Sequence, residues 1–298
     1  MIQGIIRPLG NNDFVEPFVK GVLQFSEKAK IRRAIEKIVD AEMCITAVEK
    51  DSTLKSTKFR DFEYKTDEQR IELRKKILSE LISYQRLSND DCLKLGKGGA
   101  KPLTNVISES QAYIITGLPA SGKSGIATKI ADEYGAYIVD SDYAKRKFPE
   151  YNHQYGAHLV HEESKLVTST EQDFNLLDFC ISKGHNLVFP TIGYDAQSLI
   201  DYAHMFNAKG YCVHLTLVSL DRKKAVIRAY ERFVKTKRYV PLGLIFDQYS
   251  NEPILAYYRS KRSTMFKSHG AISTDVKFGQ SPIFVEGDDG NPAMLYRE

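Results

Sequence analysis

The chain has 298 residues, enough for two domains, and its 42% hydrophobic and 27% charged residues are typical of a globular protein. Its net charge of +4 suits an anionic ligand but does not require nucleic acid. The four cysteines are scattered without a CxxC pair, which argues against a zinc site or a disulfide framework and favours a reducing, cytoplasmic environment.

The first part of the chain is predicted to be mainly helical. Apolar residues recur at mostly helical spacing over residues 25–48, and a second such stretch covers residues 66–84. Thr66 is followed three residues later by Gln69, which is the pattern of a capping box at a helix start. We therefore expect two helices in this region.

A loop separates this region from the rest of the chain. Three glycines and a proline fall within residues 95–102, and such a cluster marks a break between structural elements. We therefore predict a helical N-terminal domain over residues 1–95 and a second domain over residues 103–298.

The second domain alternates short apolar runs, which predict strands, with longer stretches of helical periodicity. The predicted strands cover residues 112–116, 136–139, 186–189, 211–219 and 282–285. The predicted helices cover residues 124–134, 161–182, 196–208 and 222–235. This alternation predicts an α/β fold of the P-loop NTPase type, with a mostly parallel sheet flanked by helices.

The first predicted strand leads into a glycine-rich loop. Its eight residues fit G-x-x-x-x-G-K-[ST] at every fixed position, with a strand before them and a helix after them. They are Gly117, Leu118, Pro119, Ala120, Ser121, Gly122, Lys123 and Ser124. We predict that backbone N–H groups surround the phosphates of ATP, that Lys123 reaches the β- and γ-phosphates, and that the Ser124 hydroxyl ligates Mg²⁺. The alternative is a glycine turn that binds nothing.

Two acids follow the second predicted strand. Asp140 and Asp142 stand where strand ends meet the ligand crevice of an open α/β sheet. A kinase needs one carboxylate to orient an attacking hydroxyl and accept its proton, and we assign this role to Asp142. We expect Asp140 to support the water shell of the metal or the loop. The alternative is that one of the two acids caps the next helix.

Three blocks of sequence together resemble the zeta toxins, which are P-loop kinases that phosphorylate UDP-N-acetylglucosamine. The resemblance covers about residues 112–259, and its first block is the glycine-rich loop. Residues 140–145, continuing to Pro149 and Tyr151, are similar to the family motifs D-x-D-x-x-[RK] and H-P-x-[YF]. Residues 231–233 and 238–241 are similar to the arginine helix of the family and the block that follows it.

The resemblance implies an ATP-dependent kinase and assigns roles to its residues. Lys123 and Ser124 would hold ATP and Mg²⁺, Asp142 would be the catalytic base, and Arg232 and Arg238 would clamp the transferring phosphoryl group. Fixed arginines offset the charge that builds on the equatorial oxygens during transfer. For Arg232 the alternative is a solvated helix face, because basic residues surround it.

The acceptor end departs from the family pattern. Where the family has an E-G-T segment that helps to bind the sugar nucleotide, Pro190 takes the place of the glutamate, and Phe148 replaces the histidine before Pro149. Thr191 and Tyr194 are candidates to line the pocket, with a simple strand-end turn as the alternative. The acceptor is therefore open between a sugar nucleotide, an NAD-like dinucleotide and a nucleic-acid end, of which the mild net charge disfavours the last. A catalytically degenerate, NTP-binding regulatory module is the remaining alternative.

The resemblance also suggests a partner. Zeta toxins are restrained by a small helical antitoxin that blocks the ATP site, so either an antitoxin or the chain's own N-terminal helices are expected to inhibit this kinase. An accessory packing or dimerisation role for these helices is the alternative. No stretch approaches 18 apolar residues and no Sec-type signal is visible, so we expect no membrane span and a cytoplasmic protein. A dedicated secretion system could still carry such a chain into another cell.

Overall fold

A six-stranded sheet forms the centre of the protein, in the order β2-β3-β1-β4-β5-β6. The computed structural model describes residues 8–48, 51–153, 155–170, 173–277 and 279–297. The strands are β1 Gln111–Thr116, β2 Tyr137–Ile138, β3 Leu187–Pro190, β4 Cys212–Ser219, β5 Ser268–Ser273 and β6 Ile283–Gly287. Neighbouring strands are parallel except β5 and β6, which are antiparallel. The predicted mostly parallel sheet flanked by helices is confirmed.

Helices precede the sheet and flank it. Before β1 lie α1 Asn12–Gly21, α2 Lys28–Val48 and α3 Asp67–Ser83. After β1 lie α4 Lys123–Glu133, α5 Ser141–Lys145, α6 Gly156–Leu159, α7 His161–Thr168, α8 Leu176–Lys183, α9 Ala196–Ala208, α10 Arg222–Thr236 and α11 Glu252–Ser260. The capping box predicted from Thr66 and Gln69 opens α3. Within the described residues, no helix is long and apolar enough to cross a membrane.

The single helix predicted over residues 161–182 is wrong. α7 ends at Thr168 and α8 begins at Leu176, while residues 171–172 between them lie outside the described residues. Asn175 causes the second start, because its side chain accepts a hydrogen bond from the N–H of Asp178 and its own N–H donates to the Asp178 carboxylate. This reciprocal capping satisfies the free N–H groups of a new helix.

The sequence pattern does not predict α1, α11 or β5. The sequence of β5 is S-H-G-A-I-S. Its polar residues and glycine have low strand propensity, so they do not predict a strand, although β5 is buried between β4 and β6. Gly270 is required in this strand, because a Cβ there would lie 2.1 Å from Oδ1 of Asn291. A close approach of this kind leaves no periodic signal.

Two clusters of buried apolar side chains join the helices before β1 to the rest of the chain. The first cluster surrounds the sheet and includes Leu73, Ile77 and Leu81 of α3. The second cluster joins α1 and α2 to α10 and includes Leu118 of the glycine-rich loop. The early helices therefore share hydrophobic cores with the α/β region, and the division into domains 1–95 and 103–298 stays a prediction.

Charged side chains are also buried between these two regions. Arg70 on α3 pairs with Glu163 on α7 and, at 2.7 Å, with Glu150, and all three side chains are at most 1% exposed. Lys147 pairs at 2.7 Å with Glu80 of α3. Because removing one partner leaves a buried charge uncompensated, these pairs fix the segment between α5 and α7 firmly to α3.

Candidate functional site

The glycine-rich loop of residues 117–124 leaves the sheet at its centre. β1 lies between β3 and β4, so the loop emerges where the carboxyl ends of three parallel strands meet. Gly117 has a φ of +153°, and a Cβ there would lie 2.4 Å from the carbonyl oxygen of Val218. Gly122 has a φ of +90° and directly precedes α4. Both positions need glycine, in agreement with the motif.

The segment after β5 holds this loop from outside. Thr274 donates a 2.6 Å hydrogen bond from Oγ1 to the carbonyl oxygen of Ser121. The Ser121 hydroxyl is buried and has no hydrogen-bond partner among the described residues. A buried hydroxyl without a partner costs free energy, and a phosphate oxygen of a bound ligand would satisfy it. Gly122 and Ser124 are exposed, so the loop is open to such a ligand.

The Lys123 ammonium turns back onto the loop. It donates to the carbonyl oxygens of Gly117 and Leu118. Burial lowers its pKa to about 8, although the negative charges of Asp140 and Asp142 act in the opposite direction. Lys123 is therefore a poorly hydrated cation beside two carboxylates, which is a position suited to an anionic ligand.

Asp140 and Asp142 stand at the start of α5. Asp140 caps this helix, since its Oδ1 accepts a 2.9 Å hydrogen bond from the N–H of Asp142. Burial and the charge of Asp142 raise the pKa of Asp140 to about 6. The Asp142 carboxylate pairs with Lys145 at 2.7 Å, and this cation holds the pKa of Asp142 well below its usual range. Asp142 is therefore ionised, and its side chain remains 58% exposed toward the cleft.

Arg232 on α10 faces the same cleft. Its positive charge lowers the pKa of both Lys123 and Asp142, so its guanidinium lies within electrostatic reach of the loop and of the predicted base. Burial lowers the pKa of Arg232 itself, although part of its side chain is open to solvent. The charge of Arg232 therefore acts on the cleft from an exposed position on α10, and its predicted phosphate role stays a prediction.

Arg238 lies in the segment after α10, next to Arg232. Its charge lowers the pKa of Arg232, so the two guanidinium groups are close. Arg238 forms an ion pair with Asp91, and its guanidinium carbon lies 5.8 Å from the ring centre of Tyr151. The fold thus brings Arg238 to the cleft, while the clamping role predicted for Arg232 and Arg238 stays a prediction.

Sequence reasoning gave no role to four further charged or titratable residues of the cleft. Lys145 pairs with Asp142, Arg146 lies 3.6 Å from Asp91, and the Nε of Arg146 is buried without a partner among the described residues. Burial and the charge of Lys145 lower the pKa of His161 to about 3, so this side chain is neutral. The D-x-D-x-x-[RK] motif could have identified Lys145. No local pattern identifies Asp91, Arg146 or His161, because the fold alone brings them together.

The segment after β3 is tied to the end of β1. The N–H of Thr191 donates to the carbonyl oxygen of Ile115 at 2.8 Å, and Thr116 Oγ1 donates to that of Ile192 at 2.8 Å. Tyr194 is exposed. Pro190 and Thr191 therefore lie next to the end of β1, from which the glycine-rich loop emerges.

A cavity is lined in part by Arg238. Its volume is about 440 Å³. Polar and aromatic side chains line it, among them Asp91, Tyr151, His153, Lys237 and Arg238. It opens next to the predicted phosphate clamp and is large enough for part of a small anionic molecule.

Known proteins similar to this chain include a curated toxin and a solved structure from a toxin–antitoxin system. The toxin zeta of Enterococcus hirae is 23% identical over 133 residues, which are 43% of this chain and 46% of that protein. The match thus spans about half the length of this curated relative. A solved structure from the PezAT chromosomal toxin–antitoxin system of Streptococcus pneumoniae covers 80% of this chain and 89% of its own, with 16% identity and a TM-score of 0.53. At this identity the likeness shows a shared fold.

A family comparison covers every residue for which the sequence predicts a catalytic or phosphate-binding role. The family described as zeta toxin matches residues 99–254. This span contains the glycine-rich loop, Asp140, Asp142, Arg232 and Arg238, and it takes in more than half of the chain. On this match, the chain belongs to the zeta toxin family.

Proposed function

We propose that the protein transfers the γ-phosphate of ATP to a hydroxyl group of a small molecule, with a sugar nucleotide as the first candidate acceptor. The observation that carries this proposal is that Lys123, Asp142 and Arg232 lie within electrostatic reach of one another: the charges of Asp142 and Arg232 act on the pKa of Lys123, and the charge of Arg232 lowers the pKa of Asp142. Membership of the zeta toxin family supports it.

The loop fits the phosphates of ATP and their magnesium ion. Glycine at position 117 lets the loop pack closely against the carbonyl oxygen of Val218, and the Ser121 hydroxyl lacks a partner among the described residues, which a phosphate oxygen would supply. Among the described residues, no cluster of three or more His, Cys, Asp or Glu side chains forms a metal site by itself. Mg²⁺ would therefore be held by phosphate oxygens and the Ser124 hydroxyl, with Asp140 on its water shell, and would neutralise charge on the phosphates.

The side chains of the cleft have separate tasks in this proposal. Lys123 would exchange its two loop carbonyls for β- and γ-phosphate oxygens. Asp142, kept ionised by Lys145, would orient the acceptor hydroxyl and take its proton. The acceptor oxygen would bond to the γ-phosphorus as the bond from that phosphorus to the bridging oxygen breaks and ADP leaves. Arg232 and Arg238 would offset the negative charge of the phosphoryl group during transfer.

The acceptor is the less defined half of the reaction. The family resemblance supports UDP-N-acetylglucosamine, whereas Pro190 in place of a glutamate keeps an NAD-like dinucleotide or a nucleic-acid end as alternatives. We place the acceptor hydroxyl between Asp142 and the segment of Thr191 and Tyr194, because this segment is tied to β1 beside the loop.

Inhibition by a partner is a further part of the proposal. The related solved structure comes from a toxin–antitoxin system, and the apolar cluster of α1 and α2 includes Leu118 of the loop. An antitoxin, or these two helices themselves, would act by limiting access of ATP to the loop.

The test is a search for a phosphorylated product. The protein is incubated with ATP, Mg²⁺ and a pool of cell metabolites, and mass spectrometry looks for a new species 80 Da heavier, the mass of one added phosphoryl group. We expect such a species with the wild type and with Asp289→Asn, an exposed acid on a turn at the opposite edge of the sheet. We expect none with Asp142→Asn.

Two outcomes would contradict the proposal. Equal amounts of product from wild type and Asp142→Asn would show that Asp142 is not the catalytic base. Binding of ATP without any transfer would favour the regulatory NTP-binding module. A nucleic-acid acceptor would instead reveal itself by binding that weakens steeply with salt.

A further inference from the structure

An acid from the region before β1 lies between two arginines of the cleft. Asp91 belongs to a short 3₁₀ turn, Asp90–Cys92. Its carboxylate pairs with the guanidinium of Arg238, and its Oδ1 lies 3.6 Å from Nη2 of Arg146. One carboxylate therefore bridges two cations that come from different parts of the chain.

These two arginines belong to the elements that carry the predicted catalytic groups. Arg146 directly follows α5, which holds Asp142. Arg238 follows α10, which holds Arg232, with Lys237 between the helix end and Arg238. Asp91 thus connects the helix of the predicted base to the helix of the predicted clamp. Among the described residues, it provides the ion-pair partner of the Arg238 side chain.

The turn that carries Asp91 is itself firmly held. The side chain of Asn89 accepts a 2.9 Å hydrogen bond from the N–H of Asp91. The neighbouring Asp90 accepts a 2.9 Å hydrogen bond from the hydroxyl of Tyr143 in α5. Asp91 is therefore an anchor with a fixed backbone and not a mobile surface acid.

The charges around Asp91 keep it ionised. Its pKa is lowered by the hydrogen bond from Arg238 and by the charges of Arg238, Arg146 and Arg232, against the effect of burial. A long arginine side chain without a partner samples many rotamers, whereas one held in place stabilises developing charge without reorganisation. The ion pair with Asp91 therefore helps to determine where the Arg238 guanidinium points.

We propose that Asp91 is a positioning residue that holds Arg238 and Arg146 beside Arg232, so that the region before β1 completes the phosphoryl-transfer site. This inference rests on the proposed kinase function. In this proposal the region before β1 contributes to catalysis by positioning two arginines of the site.

Steady-state kinetics of the full chain test the inference. We expect Asp91→Asn to lower kcat on the order of 10- to 100-fold, because a misplaced transition-state contact acts on the chemical step. The KM for ATP should change little, and Asp91→Glu, which keeps the carboxylate, should recover part of kcat. Asp289→Asn changes the net charge equally and should behave as wild type. The melting temperature of Asp91→Asn should stay close to that of wild type, because a partly exposed pair adds little stability.

A second readout does not depend on activity. In protein labelled with ¹⁵N-arginine, NMR should show a shifted or broadened side-chain Nε–H signal of Arg238 in Asp91→Asn, identified by its absence in Arg238→Lys. An unchanged signal would overturn the inference, and so would a kcat of Asp91→Asn equal to or above that of wild type. If the wild type itself transferred no phosphate, the proposed function would fail, while the NMR result would still report on the positioning of Arg238.

Discussion

The pKa of Lys123 links ligand binding at the site to pH. Burial lowers its pKa to about 8, so the free protein holds the charged form below that pH and loses it above. A phosphate ligand prefers the charged form and therefore raises this pKa on binding. The affinity for ATP is thus linked to the pH between the free and bound pKa values.

We expect the affinity for ATP to be steady below pH 8 and to fall above it, by at most about tenfold per pH unit for one proton. Isothermal titration calorimetry between pH 7 and pH 10 measures this. Lys123→Arg keeps a charge over the whole range, so its affinity should lose this pH dependence. An equal decline in both proteins would show that Lys123 does not contact the phosphates.

For single residues, the sequence identifies those whose partners lie nearby in the chain. The loop motif predicts Lys123 and Ser124 at the start of a helix, and the D-x-D motif predicts Asp140 and Asp142 after a strand. In the structure Lys123 and Ser124 begin α4, and the two acids follow β2 at the start of α5. Asp91 shares no motif with Arg238, which follows it by 147 residues. Such a pair becomes visible only when the chain is folded.

Among the elements, α3 and α7 are joined by the most deeply buried charges described. Arg70 and Glu163 lie on these helices, and Glu150 lies in the short 3₁₀ turn that leads toward α6. The Arg70 guanidinium reaches both acids, and Arg74 adds a 2.7 Å contact to Glu163. Because α5 and α7 share the cleft, this cluster also supports the helix that carries Asp142.

We expect Arg70→Ala to reduce the free energy of unfolding by about 3–5 kcal/mol, because it leaves buried acids without their main cation. Urea unfolding followed by circular dichroism measures this. Arg32→Ala is the matched control, since Arg32 pairs with Glu36 on an exposed face of α2, and it should cost about 1 kcal/mol or less. A similar small loss in both variants would contradict the structural role of the buried cluster.

Hydrophobic periodicity predicts helices and strands well where one face of the element is apolar. It fails where a cap or a close packing contact determines where the element begins or ends. The helices from Ala196 and Arg222 begin as predicted because an acid before each caps it. The break between α7 and α8 depends on the Asn175 cap, and β5 depends on the close packing of Gly270 against Asn291. Neither contact alters the hydrophobic pattern of its own segment.

For the whole molecule, the early helices share hydrophobic cores with the α/β region, so removal of residues 1–95 is expected to affect folding as well as any inhibition. Removal of residues 1–95 takes away Arg70 and Glu80, and it leaves Glu150, Glu163 and Lys147 buried without these partners. These contacts favour a packing role for the early helices, whereas inhibition in cis stays a hypothesis.

We expect the fragment 96–298 to lack cooperative thermal unfolding, whereas cis-inhibition predicts a folded fragment with higher activity. Differential scanning calorimetry and γ-phosphate turnover distinguish the two. The fragment 51–298 keeps the buried ion pairs and lacks α1 and α2, so raised turnover in a folded 51–298 would support inhibition by these two helices. A stable, cooperative 96–298 would contradict the packing role.

The hydrogen bond from Thr274 to the carbonyl oxygen of Ser121 determines when the glycine-rich loop can fold during translation. β1 needs both β3 and β4 as neighbours, and the loop needs a residue 153 positions further along the chain. Contacts this distant in sequence form slowly and late. A nascent chain that has already exposed its glycine-rich loop therefore cannot yet fold it, and the site assembles only after Thr274 has been synthesised.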